Sequence, residues 1–242
     1  MWRRLPISNH VNAVMETLSR KERERLSRRR AMLDAAIEVF AEKGYESASI
    51  EEVALRAEFG KGTLYLYFPK GKEAMLEAIL KDLANEEYAL VEQVLERAKM
   101  QNRSFQQTFR ALIQAYLNHY DHKKDHFRLV IKVLNRLMLS DESALKELAL
   151  SLKAKTISLF ASFLDAAMRK GEIRNFQPEA LTHIIFGNLH GYIMYDVVVH
   201  HTTNKGDPQL KSSLADAQEW LSSLLLHGIC TETTNKATTR PL

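Results

Sequence analysis

The sequence predicts an all-α fold, with three short helices in helix-turn-helix order near the N-terminus and a larger helical domain behind them. Three observations carry this. Only 9 Gly and 5 Pro are spread over 242 residues, too few for a strand-rich fold with many tight turns. Apolar residues recur at helical spacing over most of the chain. And the few breakers cluster where short helices would have to end.

The expected domains are an N-terminal extension at 1–27, basic at its end, a helix-turn-helix domain at 28–71, a larger helical domain at 72–228 and a disordered tail at 229–242. In the extension Val11, Val14, Met15 and Leu18 have helical spacing over too short a run to be stable alone. From Arg28 the pattern strengthens: Leu33, Ala36, Ile37 and Phe40 form one buried stripe, and Gly44 is placed to end that helix in the left-handed conformation. Ser49 reads as an N-cap and Glu52 completes a capping box, opening a second helix whose apolar face is Ile50, Val53, Ala54 and Ala57. Residues 58–60 break it. A third helix runs from about Lys61 to Phe68, stopped by Pro69 and Gly71. Further helices are expected at about 72–100, 104–121, 123–139, 143–170, 178–202 and 208–228, with Ser104 and Asp141 as N-caps.

Charge narrows the function. The net charge is only +4, yet the stretch from Arg20 to Arg30 alone is +5, so the rest of the chain is near neutral. A basic segment leading into a helix suits phosphate contact, although most charge runs are simply solvated. Cys230 is the single cysteine, which rules out an internal disulfide and a thiol-rich metal site. Trp2, Arg3 and Arg4 have no apolar run behind them as a signal peptide would. No window approaches the ~18 apolar residues of a membrane span. A soluble, cytoplasmic protein without membrane contact is expected.

In the third helix Leu64 and Phe68 are expected to face the bracing second helix. Lys61, Thr63, Tyr65 and Tyr67 are left to face outward, a donor-rich surface suited to phosphates and base edges. Tyr67 also suits half-buried packing, having an apolar face and a polar tip.

Residues 31–80 resemble the DNA-binding domain of the TetR family of transcriptional repressors. The resemblance rests on Ala36 with Phe40, Gly44, Ser49-Ile50 followed by Val53-Ala54, the run Gly62-Thr63-Leu64-Tyr65-x-Tyr67-Phe68, and Lys72-Glu73. It implies a sequence-specific, ligand-responsive repressor of palindromic operator DNA, with residues 72–228 as the ligand-binding and dimerisation domain. It also implies DNA contacts from Ser49, Lys61, Gly62, Thr63, Tyr65, Tyr67 and Lys72, with Arg28, Arg29 and Arg30 adding others from the first helix or the arm before it. The turn departs from the family's usual Ala-Gly-Val-Ser: here it reads Ala57-Glu58-Phe59-Gly60. Glu58 replaces a glycine that commonly takes positive φ, and Gly60 replaces a capping serine. The link Pro69-Lys70-Gly71 is one residue longer than the commonest form.

Aromatic residues of the larger domain are core by default. The family's central helices enclose a ligand cavity, so Phe109, Tyr116, Tyr120 and Phe163 are expected to line a pocket for a largely apolar effector. Helix 178–202 is apolar on most sides, and Gly187 and Gly191 allow close helix approach. With Ile184, Met194 and Val198 they form the expected homodimer interface, to which the resemblance to the family adds helix 208–228. His122 and His126 have the i, i+4 spacing of metal ligands, but they lie in a polar run at a helix corner with His119, and no metal or other cofactor is expected. No nucleophile–base pair, glycine-rich phosphate loop or paired Glu-x-x-His motif supports an enzyme. The rival from another class is an interaction protein whose helix-turn-helix has lost DNA.

Overall fold

The computed structural model describes residues 18–124, 126, 127, 129, 143–202 and 214–230. Among these, helices run as α1 (Arg20–Lys43), α2 (Ile50–Arg56), α3 (Lys61–Tyr67), α4 (Lys72–Met100), α5 (Phe105–His122), α6 (Ser143–Arg169), α7 (Pro178–Thr202) and α8 (Leu214–Ile229). The described residues fall into two units, one drawn from 1–89 and 125–152, the other from 90–124 and 153–242. No helix among them is long and apolar enough to cross a membrane.

The expected helices that fall within the described residues are observed, with shifts at their ends. α1 starts at Arg20, eight residues before Arg28, because Ser19 and Glu22 form a capping box: Glu22 N–H donates to Ser19 Oγ at 3.3 Å, and Ser19 N–H donates to Glu22 Oε2 at 2.8 Å. The basic stretch therefore lies on the helix rather than in an arm before it. Gly44 closes α1 with φ 82° and ψ 151°, positive in φ as expected but outside the left-handed helical well. At the other end α8 continues to Ile229, and Cys230 is buried and bridged to Ile173, so the expected tail does not begin at 229. Residues 1–17, most of the helix expected at 123–139, the cap at Asp141, the start at 208 and the segment 231–242 lie outside the described residues.

In the first unit α1, α2 and α3 close over Leu33, Ala36, Ile37, Phe40, Val53, Leu64 and Phe68, all buried. α2 opens with the Ser49–Glu52 capping box. Its far end is fastened to α1 by Arg56, which donates to Glu38 at 3.0 Å and to both carboxylate oxygens of Glu42 at 3.0 and 2.9 Å. The second unit packs α5 against α8 and α7. Its interior is aromatic: Phe105 stacks on Phe109 and Phe163, and Phe160 meets both Phe163 and Phe186 at ring-centroid distances of 5.9 and 5.3 Å.

Candidate nucleic-acid interface

The turn between α2 and α3 is a Schellman motif. Phe59 N–H donates to Ala54 O at 3.0 Å and Glu58 N–H donates to Leu55 O at 3.2 Å, which places Glu58 in the left-handed position at φ 58°. The backbone thus keeps the geometry that a glycine normally serves, and a glutamate bears it. Gly60 then caps α3 at φ −67° and ψ 144°, with no side chain to bond the helix N–H groups.

α3 presents Lys61, Gly62, Tyr65 and Leu66 to solvent, while Leu64 and Phe68 are buried. Thr63 and Tyr67 are half-buried at the flanks. The expected outward set of Lys61, Thr63, Tyr65 and Tyr67 is therefore only half realised. Its alternate spacing belongs to a strand, whereas on a helix residues i, i+1, i+4 and i+5 share a face. That rule would have found Leu66, which sequence reasoning passed over. Gly62 stands on this face although the fold makes no demand for it: a Cβ built there meets nothing within 4 Å. A helical glycine costs roughly 0.5–1 kcal/mol relative to alanine, and here it leaves the backbone bare on an exposed face.

Charges around this face are paired. Lys61 contacts the Glu51 carboxylate, and that hydrogen bond holds Glu51 below its ordinary pKa and raises Lys61. Glu52 is lowered to about 2, first by Lys43 and then by the Ser49 N–H and hydroxyl. A phosphate approaching Lys61 has to displace Glu51, an exchange between exposed ions that costs little.

Several expected contacts are turned inward. Lys72 Nζ donates to the carbonyls of Tyr45 and Glu46, each at 3.0 Å, and lies 5.1 Å from the Tyr45 ring centroid, tying the start of α4 to the α1–α2 loop. Arg29 is half-buried, 5.8 Å over the Phe68 ring and 3.4 Å from Asp82. Arg30 bonds Asp34 at 3.0 Å, and Arg28 is exposed. Ser49 is occupied as the α2 cap, its Oγ accepting from Glu52 N–H at 3.2 Å.

In the second unit Phe109, Tyr116 and Phe163 join one aromatic cluster through Phe105, Phe160 and Phe186. Two hydroxyls enter this apolar region already paired. Tyr116 Oη and His190 Nε2 lie 2.8 Å apart, and Tyr120 Oη donates to Asp196 at 2.7 Å. Burial, with a smaller contribution from Lys153, pulls His190 down to about 3, so it is neutral at pH 7. His122 Nδ1 donates to the Asn118 carbonyl at 2.7 Å, and the described residues hold no group of three or more metal-type ligands.

Ile184, Gly187 and Gly191 line an open apolar groove of about 850 Å³ between α7 and α8, with Tyr195, Trp220 and Leu224 on its walls. Ile184 is 58% exposed and Trp220 45%. Met194 is half-buried, and the side chain of Val198 lies outside the described residues. The sequence places helix 208–228 at the expected interface without singling out residues on it, although Trp220 and Leu224 have helical spacing.

A short helix braced by a second across a tight turn, with donors and a bare backbone on its exposed face, defines a helix-turn-helix DNA-binding regulator. Residues 32–79 match the family model for bacterial regulatory proteins of the tetR family. The chain is 26% identical over 176 residues to the HTH-type transcriptional regulator YhgD of Bacillus subtilis, covering 73% of this chain and 87% of that one. It is 34% identical over 105 residues to the HTH-type transcriptional activator FasR of Mycolicibacterium smegmatis, covering 43% of this chain and 46% of FasR. Its fold is similar to that of FadR from Bacillus subtilis, solved in complex with stearoyl-CoA, at a TM-score of 0.66 and 21% identity over 82% of this chain and 97% of that one. Residues 32–79 are thus similar to the DNA-binding domain of the tetR family, and the curated relatives that the chain matches are transcriptional regulators rather than enzymes.

Proposed function

We propose that the protein is a homodimeric repressor of a palindromic operator, released by a small, largely apolar effector. The observation that carries the DNA reading is the exposed face of α3, where Lys61, Gly62 and Tyr65 stand together over a buried Leu64. Lys61 and Tyr65 are the leading DNA contacts. Thr63 and Tyr67 touch the backbone from the flanks, as Ser49 does from the α2 cap and Arg28 from α1. Lys72 and Arg29 serve chiefly to set α4 and the end of α3 in place. On this reading residues 28–71, extended back to Arg20, form the DNA-binding domain.

The α7–α8 groove, with Ile184, Gly187 and Gly191, takes a second copy, and Met194 and Val198 continue the interface. Two-fold pairing sets two recognition helices about 34–36 Å apart or a multiple of that, and effector binding shifts α4, which both units share, enough to spoil the spacing. Phe109, Tyr116, Tyr120 and Phe163 supply an apolar wall with hydroxyls, which suits a long acyl chain bearing a polar end. The stearoyl-CoA held by FadR makes a long-chain acyl thioester the first effector to try.

Selection of bound sequences from random duplex DNA tests the function. An enriched palindrome, lost with Tyr65→Ala and Lys61→Ala, supports it; no enrichment leaves the interaction protein. A reporter behind the selected operator then fixes the sign. Expression that rises when the protein is removed supports repression, and expression that falls gives the sign carried by FasR's name.

A further inference from the structure

Leu66 is 80% exposed, toward the C-terminal end of the outward face of α3. A single exposed leucine is ordinary on a protein surface. This one stands beside Tyr65, itself 42% exposed, on the same face as Lys61 and the side-chain-free Gly62. Leucine has no donor or acceptor, so it contributes nothing to a phosphate and cannot bond the nitrogen and oxygen edges of bases. The apolar group that duplex DNA displays in its major groove is the C5 methyl of thymine.

We propose that Leu66 is a specificity-determining residue that recognises thymine by its methyl group. The assignment rests on the DNA-binding reading above and extends it to one base. Lys61 and Tyr65 hold the helix against the duplex, Gly62 lets the backbone come close, and Leu66 then covers the methyl and excludes water from it. Cytosine, which lacks the methyl and presents an amino group instead, is rejected at that position because Leu66 offers the amino group no acceptor.

Uracil substitution tests this directly, because it removes the methyl and leaves base pairing intact. In the selected operator each thymine is replaced in turn, and binding of the full chain is followed by fluorescence anisotropy. Wild-type protein is expected to lose about fourfold in affinity at one thymine, or at its symmetry-related pair, the worth of one buried methyl. Leu66→Ala should bind the unmodified operator more weakly and show no further loss when that thymine becomes uracil. Leu55→Ala, which removes an equally exposed leucine from α2 (82%), should keep the wild-type uracil penalty. Specific binding that is indifferent to uracil at every position overturns the assignment and leaves the regulator standing. So does an unchanged penalty in Leu66→Ala. Absence of any specific binding removes both.

Discussion

The outward face of α3 and the α7–α8 groove are alike in one respect: each carries exposed glycine where the chain itself has no need of it. A Cβ at Gly62, Gly187 or Gly191 meets nothing within 4 Å. They differ in what surrounds the glycine. On α3 it sits among Lys61, Tyr65 and a single leucine; in the groove it sits among Tyr195, Trp220, Ile184 and Leu224. Donors with little apolar area suit a hydrated, charged partner such as DNA. A wide apolar wall suits another protein surface, whose burial supplies the driving force. The same small residue thus admits two kinds of neighbour, and its company says which.

Trp220→Glu should break the comparison at its apolar end with the largest effect. A carboxylate placed in the proposed dimer contact would be stripped of water without a partner, and the dimer dissociation constant should rise on the order of 100-fold or more. Sedimentation at micromolar concentration reads this as a shift from dimer to monomer. A variant that stays dimeric would move the interface elsewhere. Gly62→Ala probes the polar end and should move stability and binding in opposite directions. The helix gains roughly 0.5–1 kcal/mol, while operator affinity falls on the order of tenfold as the added methyl holds the backbone off the duplex. Paired melting and anisotropy measurements check it, and tighter binding alongside higher stability would mean that DNA does not approach Gly62.

The first unit was the more legible in sequence because its signals are local. Ser49 and Glu52, the Gly44 stop and the break at 58–60 each specify structure within a few residues. Even there, two things were hidden. The box at Ser19 and Glu22 was as readable as the one at Ser49, but the dense arginines behind it drew attention to charge instead. Lys72 and Arg29 looked free for phosphate because their partners, the Tyr45 and Glu46 carbonyls and Asp82, lie 27, 26 and 53 residues away. In the second unit the separations grow. Tyr116 meets His190 across 74 residues and Tyr120 meets Asp196 across 76, so no pattern within a helix could announce either pair.

His190 sharpens the contrast, since it neighbours Gly191 yet has found its partner within the chain. Its depressed pKa, about 3 against an ordinary 6.5, means that the unfolded chain takes up a proton that the folded one refuses. Stability from this group is complete above pH 6.5 and falls with acid, by about 2 kcal/mol between pH 6.5 and 5. His190→Gln should flatten that part of the stability–pH curve, measured by chemical denaturation. A slope equal to wild type would show that His190 titrates alike in both states.

The smallest effect concerns the turn that aims α3. The same Schellman bonding closes α2 at Glu58, α4 at Asn102 and α6 at Gly171, with φ of 58°, 49° and 70°. Glycine and asparagine take that conformation readily; glutamate takes it at a cost of about 1 kcal/mol, partly offset by its stiffer unfolded chain. Glu58→Gly should therefore stabilise the protein by about 1 kcal/mol or less, raising Tm by roughly 2 °C. Glu58 is also an exposed negative charge in the turn before α3, close in sequence to the proposed DNA contact Lys61, and Glu58→Gln separates the two roles. Glutamine keeps the strained backbone and removes the charge, so its Tm should match wild type while its DNA affinity rises severalfold at low salt and converges at high salt. If Glu58→Gln melts higher by as much as Glu58→Gly, the cost lies in charge rather than in backbone. If neither variant differs from wild type in melting, glutamate is borne in the glycine position without strain.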